Sequence, residues 1–210
     1  MKMKDGFGLY LVMTDPVAGY EACAAAAVKC GVKFVQLRMK NELPENIIST
    51  AKKIRQITHG TATRFIVNDD VDIAIAVDAD GVHLGQDDMP LDEARRKWNA
   101  PEKIFGLSTH SEAQAAAAVA LTPDYIGVGP VFPTPTKAIP DPALGVELTG
   151  KIICSSPLPC VAIGGLDETN LSAVLRAGAK NFCAVRAIMK SQTPENEIRK
   201  FLRLLEQYKS

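Results

Sequence analysis

No net charge, no long apolar run and no paired cysteine motif mark this sequence. Its 24 Lys and Arg balance 24 Asp and Glu over 210 residues. A chain that works on nucleic acid or an anionic membrane surface usually carries a basic excess, so neither partner is expected. The alanine-rich stretches at 22–28 and 113–121 fall short of the ~18 apolar residues of a membrane span. The opening MKMKDGFG has no apolar h-region of a secretory signal. Five cysteines (Cys23, Cys30, Cys154, Cys160 and Cys183) are scattered without a C-x-x-C, the pattern of reduced thiols in a cytoplasmic protein. Only three histidines occur, well apart, which argues against a histidine-based zinc site. Against these absences, 47% of residues are apolar, ample for a folded core.

What is present is an alternation. Apolar, β-branched runs at 9–14, 34–39, 64–68, 81–85, 104–108, 125–131, 160–164 and 181–187 are each followed by a stretch with helical spacing. The helices are expected at about 17–30, 44–58, 71–78, 90–98, 111–121, 145–155, 168–178 and 194–208. Runs such as FVQLRM and CVAIG are nearly continuous in apolar residues, as parallel strands covered on both faces require. Ser111, Asp167 and the Thr193-Pro194 pair stand where helices should open, and Gly31, Gly60 and Gly178 where they should stop. Eight units in 210 residues, about 26 residues each, predict an α/β chain folded as one (β/α)8 TIM barrel over 1–210. A doubly wound open sheet is the alternative. Its glycine-rich turn belongs after the first strand, where this chain reads LVMTDP.

In such a barrel the chemistry lies on the loops after the strands. The second strand ends in Gln36, Arg38 and Lys40 on one side, with Leu37 and Met39 on the other. Inward cations need an anionic partner, either a ligand or a carboxylate on a neighbouring strand. The third and fourth ends carry Asn68-Asp69-Asp70 and Asp87-Asp88. Asp69 and Asp88 are candidate ligands for a hard cation such as Mg²⁺ or, equally, helix caps; Asp70 and Asp87 are expected to cap or face solvent. The fifth end carries Ser108-Thr109-His110, but neighbours in sequence rarely face each other and no nucleophile elbow is present. His83 reads as a hydrogen-bonded barrel residue, and Cys183 has no base beside it. The loop after the sixth strand holds three prolines with Thr134, Thr136 and Lys137, which suits an anion-binding or lid element or an ordinary surface loop. Gly164 and Gly165, with the region around Val185 and Arg186, occupy the usual phosphate place of such barrels. Together these ends suggest two anionic groups held at once, a Mg²⁺-bound diphosphate and a monophosphate.

VQLRMK (35–40), FIVNDDVDIAIAVDADGVHLGQDDMP (65–90), GLSTH (106–110), DYIGVGPVFPTPTK (124–137) and AIGGLDETN (162–170) follow one another in order. With these segments the chain resembles the thiamine-phosphate synthase (thiamine-phosphate pyrophosphorylase) family over nearly its whole length. The resemblance implies a Mg²⁺-dependent transferase. It would join 4-amino-2-methyl-5-pyrimidinylmethyl diphosphate to thiazole ethyl phosphate, giving thiamine phosphate and pyrophosphate by a dissociative route. It places Gln36, Arg38, Lys40, Asn68, Ser108 and Lys137 on the pyrimidine diphosphate and Asp69 and Asp88 on Mg²⁺. It places Thr134, Thr136, Gly165 and the backbone at Val185 and Arg186 on the thiazole phosphate. Two positions depart from the family pattern: Met39 where Glu is common, and Arg186 where many members have Ser. A thiazole tautomerase-like relative and a non-catalytic sensor of phosphorylated metabolites are the competing readings.

Overall fold

The computed structural model describes residues 6–134 and 141–208. Eight parallel strands close into a barrel in chain order: β1 (Gly8–Met13), β2 (Phe34–Leu37), β3 (Arg64–Asn68), β4 (Gly81–Leu84), β5 (Ile104–Thr109), β6 (Tyr125–Val128), β7 (Cys160–Ile163) and β8 (Asn181–Cys183). β1 pairs with β8 through Gly8 opposite Asn181 and Leu9 opposite Phe182, which settles the barrel against the open sheet. The Asn181 side chain supports this seam. Its Oδ1 accepts from Phe7 N at 2.6 Å and Gly8 N at 3.1 Å, and its Nδ2 donates to Cys160 O at 3.0 Å.

Around the barrel lie α1 (Tyr20–Lys29), α2 (Pro44–Thr58), α3 (Val71–Ala76), α4 (Leu91–Lys97), α5 (Glu112–Leu121), α6 (Gly145–Ser155), α7 (Leu171–Arg176), α8 (Val185–Met189) and α9 (Pro194–Glu206). Strand alternation sorts the core into two layers. Leu9, Leu11, Met13, Val35 and Leu37 point outward to the helices, where α9 adds Ile198, Phe201 and Leu205 at helical spacing. Each such fully buried Leu or Phe contributes about 1.5–3 kcal/mol by leaving water. Tyr10, Val12, Phe34, Ile66, Tyr125, Val161 and Cys183 fill the interior.

Several element ends differ from the sequence expectation. β6 stops at Val128, two residues before Pro130; proline cannot donate to the ladder. β8 is only three residues long, and Val185 and Arg186 lie in the short helix α8 rather than at a strand end. Asp167 does not open α7. Its Oδ1 accepts from Thr169 N at 2.8 Å and Asn170 N at 3.2 Å, forming a turn ahead of Leu171. Ser111 does cap α5, accepting from Gln114 N at 3.1 Å. Thr193 precedes Pro194 at the start of α9 without a side-chain cap bond. Gly31, Gly60 and Gly178 take positive φ after their helices, as expected.

Candidate active site

The C-terminal ends of the strands carry two neighbouring features. On the β2–β4 side, the Lys40 ammonium pairs with Asp69 Oδ2. Asp69 sits at φ +64°, a left-handed conformation that Asp and Asn tolerate better than most residues. Its backbone N–H is held by His83 O at 2.8 Å. Asp88 reaches the same cluster from the loop after β4, where one carboxylate oxygen accepts Gly85 N–H at 2.6 Å. Burial raises the pKa of Asp88 from its ordinary value, and the hydrogen-bonding Asp69 carboxyl raises it further. Two carboxyls close enough to share a proton form an oxygen pair that suits a hard divalent cation. Among the described residues no group of three or more His, Cys, Asp or Glu is placed to hold a metal, so protein donors here number few. Asp70 instead caps α3 by accepting Ile73 N–H at 2.9 Å, and Asp87 is exposed.

Beside this cluster opens a cavity of about 670 Å³. Arg38, Ser108, Thr134, Gly165, Val185 and Arg186 all line it, bringing six of the expected residues to one space. Lys190, one turn beyond Arg186, lines it too, and no motif in the sequence marks it. Gly164 and Gly165 have φ of +102° and +67°. A Cβ on Gly165 would stand 2.7 Å from Phe132 Cβ and 2.9 Å from Pro133 O, so only glycine lets the β7–α7 loop lie against the β6–α6 loop. Thr136 and Lys137 lie outside the described residues.

Gln36 and Asn68 do not line the cavity. Gln36 is 3% exposed at the end of β2 and donates from Nε2 to Tyr10 Oη at 2.9 Å. Asn68 ends β3, in register with His83. Arg38 lies past the strand, with Thr14 Oγ1 at 3.3 Å.

Ser108 does meet a histidine, but not its neighbour. Its Oγ is 2.9 Å from His83 Nε2, while His110 Nδ1 bonds Gly129 O at 2.7 Å. The other nitrogen of His83 faces the Tyr125 hydroxyl at 3.0 Å rather than a carboxylate. Burial pushes Tyr125 well above the usual phenol range, so it stays a neutral phenol and cannot take the part of the carboxylate in a catalytic triad. A serine-nucleophile reading fails on that ground.

The cysteines are all free. Cys183 lines the cavity, yet burial pushes its thiol up to about 12, leaving it protonated and unreactive at neutral pH. Cys183→Ala should therefore keep turnover within about twofold of the parent while costing about 1–2 kcal/mol of stability from lost packing. Turnover and urea melts of the same preparation check this; loss of turnover at unchanged stability would restore a covalent role.

The family model described as thiamine monophosphate synthase matches residues 9–188. The chain belongs to this family. It is 46% identical to the thiamine-phosphate synthase of Synechocystis sp. over 186 residues, 89% of this chain and 53% of that protein. It is 39% identical to the thiamine-phosphate synthase of Vibrio parahaemolyticus over 204 residues, 96% of this chain and 100% of that one. The chain thus spans about half the length of the Synechocystis and Nostoc punctiforme members it matches and the whole of the Vibrio member. Among solved structures, thiamine phosphate pyrophosphorylase from Pyrococcus furiosus superposes with a TM-score of 0.86 at 33% identity, covering 97% of this chain and 98% of that one. No helix among the described residues is long and apolar enough to cross a membrane.

Proposed function

We propose that this barrel is a thiamine-phosphate synthase, a transferase that displaces pyrophosphate from a pyrimidinylmethyl diphosphate with a thiazole phosphate. The observation that carries the reading is the pairing of two anion-handling features at one barrel mouth. The Lys40, Asp69 and Asp88 cluster lies at the β2–β4 ends, and a cavity lined by Gly165 and Arg186 opens towards β7 and β8. Two phosphorylated substrates need two such features; a sensor or tautomerase of one thiazole phosphate does not need the first.

Asp69 and Asp88 would hold Mg²⁺, which when bound supplies neutralisation of the diphosphate charge. Arg38, Lys40 and Lys137 would bind the diphosphate oxygens, with Gln36, Asn68 and Ser108 on the pyrimidine. Thr134, Thr136, Gly165 and the backbone of Val185 and Arg186 would hold the thiazole phosphate. The departing Ser position leaves Arg186 to offer a charge-assisted bond in place of a hydroxyl. In the reaction, the bond between the pyrimidinyl methylene carbon and the bridging oxygen breaks, and both electrons leave with pyrophosphate. The thiazole nitrogen lone pair then forms the new C–N bond, and no proton has to move. The side chains accordingly position substrates and stabilise the charge that develops on the leaving group. That task requires no nucleophile, in keeping with the inert Cys183 and with a His83 that bridges Ser108 to the Tyr125 phenol.

Pyrophosphate release measured with each substrate alone and with both together tests the proposal. Release that requires both substrates and a divalent cation supports it. Binding of a thiazole phosphate without any release, under the same conditions, would favour the sensor or tautomerase reading.

A further inference from the structure

Ser108 and Gln36 are joined through the barrel interior by an unbroken chain of hydrogen bonds. Gln36 Nε2 lies 2.9 Å from Tyr10 Oη, Tyr10 Oη 2.8 Å from Tyr125 Oη, Tyr125 Oη 3.0 Å from His83 Nδ1, and His83 Nε2 2.9 Å from Ser108 Oγ. The His83 ring also stacks on Tyr125, with centroids 5.4 Å apart at 21°. Tyr10 and Tyr125 are 2% and 1% exposed, so water does not replace a lost partner there.

Counting protons along this chain assigns a direction to every bond. A phenol has one proton to give. Tyr10 accepts from the Gln36 amide, so its own proton goes to Tyr125 Oη, its other hydrogen-bond partner among the described residues. Tyr125 in turn gives its proton to His83 Nδ1. A neutral imidazole that accepts at Nδ1 carries its proton on Nε2, and that proton goes to Ser108 Oγ. The Ser108 hydroxyl proton is then left for a ligand in the cavity that Ser108 lines. At the opposite end, the chain starts from the amide nitrogen of Gln36, which is buried.

The geometry points to Tyr10, Tyr125 and His83 as positioning residues that fix Ser108, at the cavity wall, as a hydrogen-bond donor to the aminopyrimidine of the diphosphate substrate. An aminopyrimidine offers the complement, a ring nitrogen lone pair that accepts. A site built to pair such a group discriminates strongly against an analogue lacking it, because a buried partner is then left unsatisfied. This assignment of roles rests on the synthase reading of the site, whereas the His83 tautomer does not.

Long-range ¹H–¹⁵N correlation on the uniformly labelled, substrate-free full chain reads the tautomer directly. The sequence has three histidines, so His59→Gln and His110→Gln variants assign the His83 resonances. At mildly alkaline pH the wild-type protein should show His83 neutral with Nε2 protonated, and Tyr125→Phe, which keeps the ring packing, should shift it towards the Nδ1–H form. The kinetic arm is a double-mutant cycle. Tyr125→Phe should lower kcat/KM for the pyrimidine diphosphate about tenfold in the parent but less than about twofold in a Ser108→Ala background, since it acts through Ser108. An Nδ1-protonated His83 in the wild type, or equal losses in both backgrounds, overturns the inference. A wild-type chain without synthase turnover would instead sink the functional reading, and the tautomer would still decide the network.

Discussion

Asp69→Asn and Asp88→Asn are expected to lower turnover by at least about a hundredfold and to raise the Mg²⁺ needed for half-maximal rate. Asparagine is the informative replacement at both positions. At 69 it tolerates the left-handed backbone, φ +64°, that most other side chains would strain. At 88 its side-chain oxygen still accepts the Gly85 N–H that Asp88 holds at 2.6 Å, so the loop after β4 keeps its shape. What each variant removes is charge. Removing one carboxylate also leaves Lys40 in a different field, because Lys40 pairs with Asp69. Rates titrated against Mg²⁺ on folded variants check the expectation, and wild-type rates with wild-type Mg²⁺ dependence in both would show that the pair holds no catalytic metal.

The second large effect is expected at Gly165. Alanine there must adopt φ +67° and place a Cβ 2.7 Å from Phe132 Cβ and 3.0 Å from Phe132 O. The β6–α6 loop has to yield, and Thr134 on that loop lines the cavity. Strain at such a site costs about 1–3 kcal/mol. Gly165→Ala should therefore raise KM for the thiazole phosphate at least about tenfold while changing KM for the pyrimidine diphosphate much less, since displaced donors act on binding before they act on chemistry. Steady-state kinetics with each substrate varied in turn is the check. A variant impaired only towards the diphosphate would show that the two anion features have been assigned to the wrong substrates.

The strand order and the mouth residues were legible because parallel strands and their exits leave local signatures. Apolar runs of FVQL or CVAI type mark the strands, and polar residues cluster where they end. Arg38, Ser108, Thr134, Gly165, Val185 and Arg186 reach one cavity for that reason. What escaped depends on partners distant in sequence. His83 finds Ser108 and Tyr125, 25 and 42 residues away, and no local pattern encodes that meeting. The Ser108-Thr109-His110 run even suggests the wrong histidine. Helix α8 was missed because Asn181 to Ala187 reads as one apolar run, and periodicity alone cannot separate a three-residue strand from the five-residue helix behind it. Lys40 illustrates a third case. An inward cation implied either a ligand or a carboxylate on a neighbouring strand, and the fold supplies the carboxylate, Asp69, without removing the case for a ligand.

The central claim is that this barrel joins two phosphorylated heterocycles with loss of pyrophosphate, and the direct measurement is the product itself. The purified 210-residue chain, given the pyrimidinylmethyl diphosphate, the thiazole ethyl phosphate and Mg²⁺, should yield thiamine phosphate by mass spectrometry with one pyrophosphate released per product, and a chelator should stop both. Pyrophosphate appearing without the joined product, or no product from folded protein with Mg²⁺ present, would contradict the account.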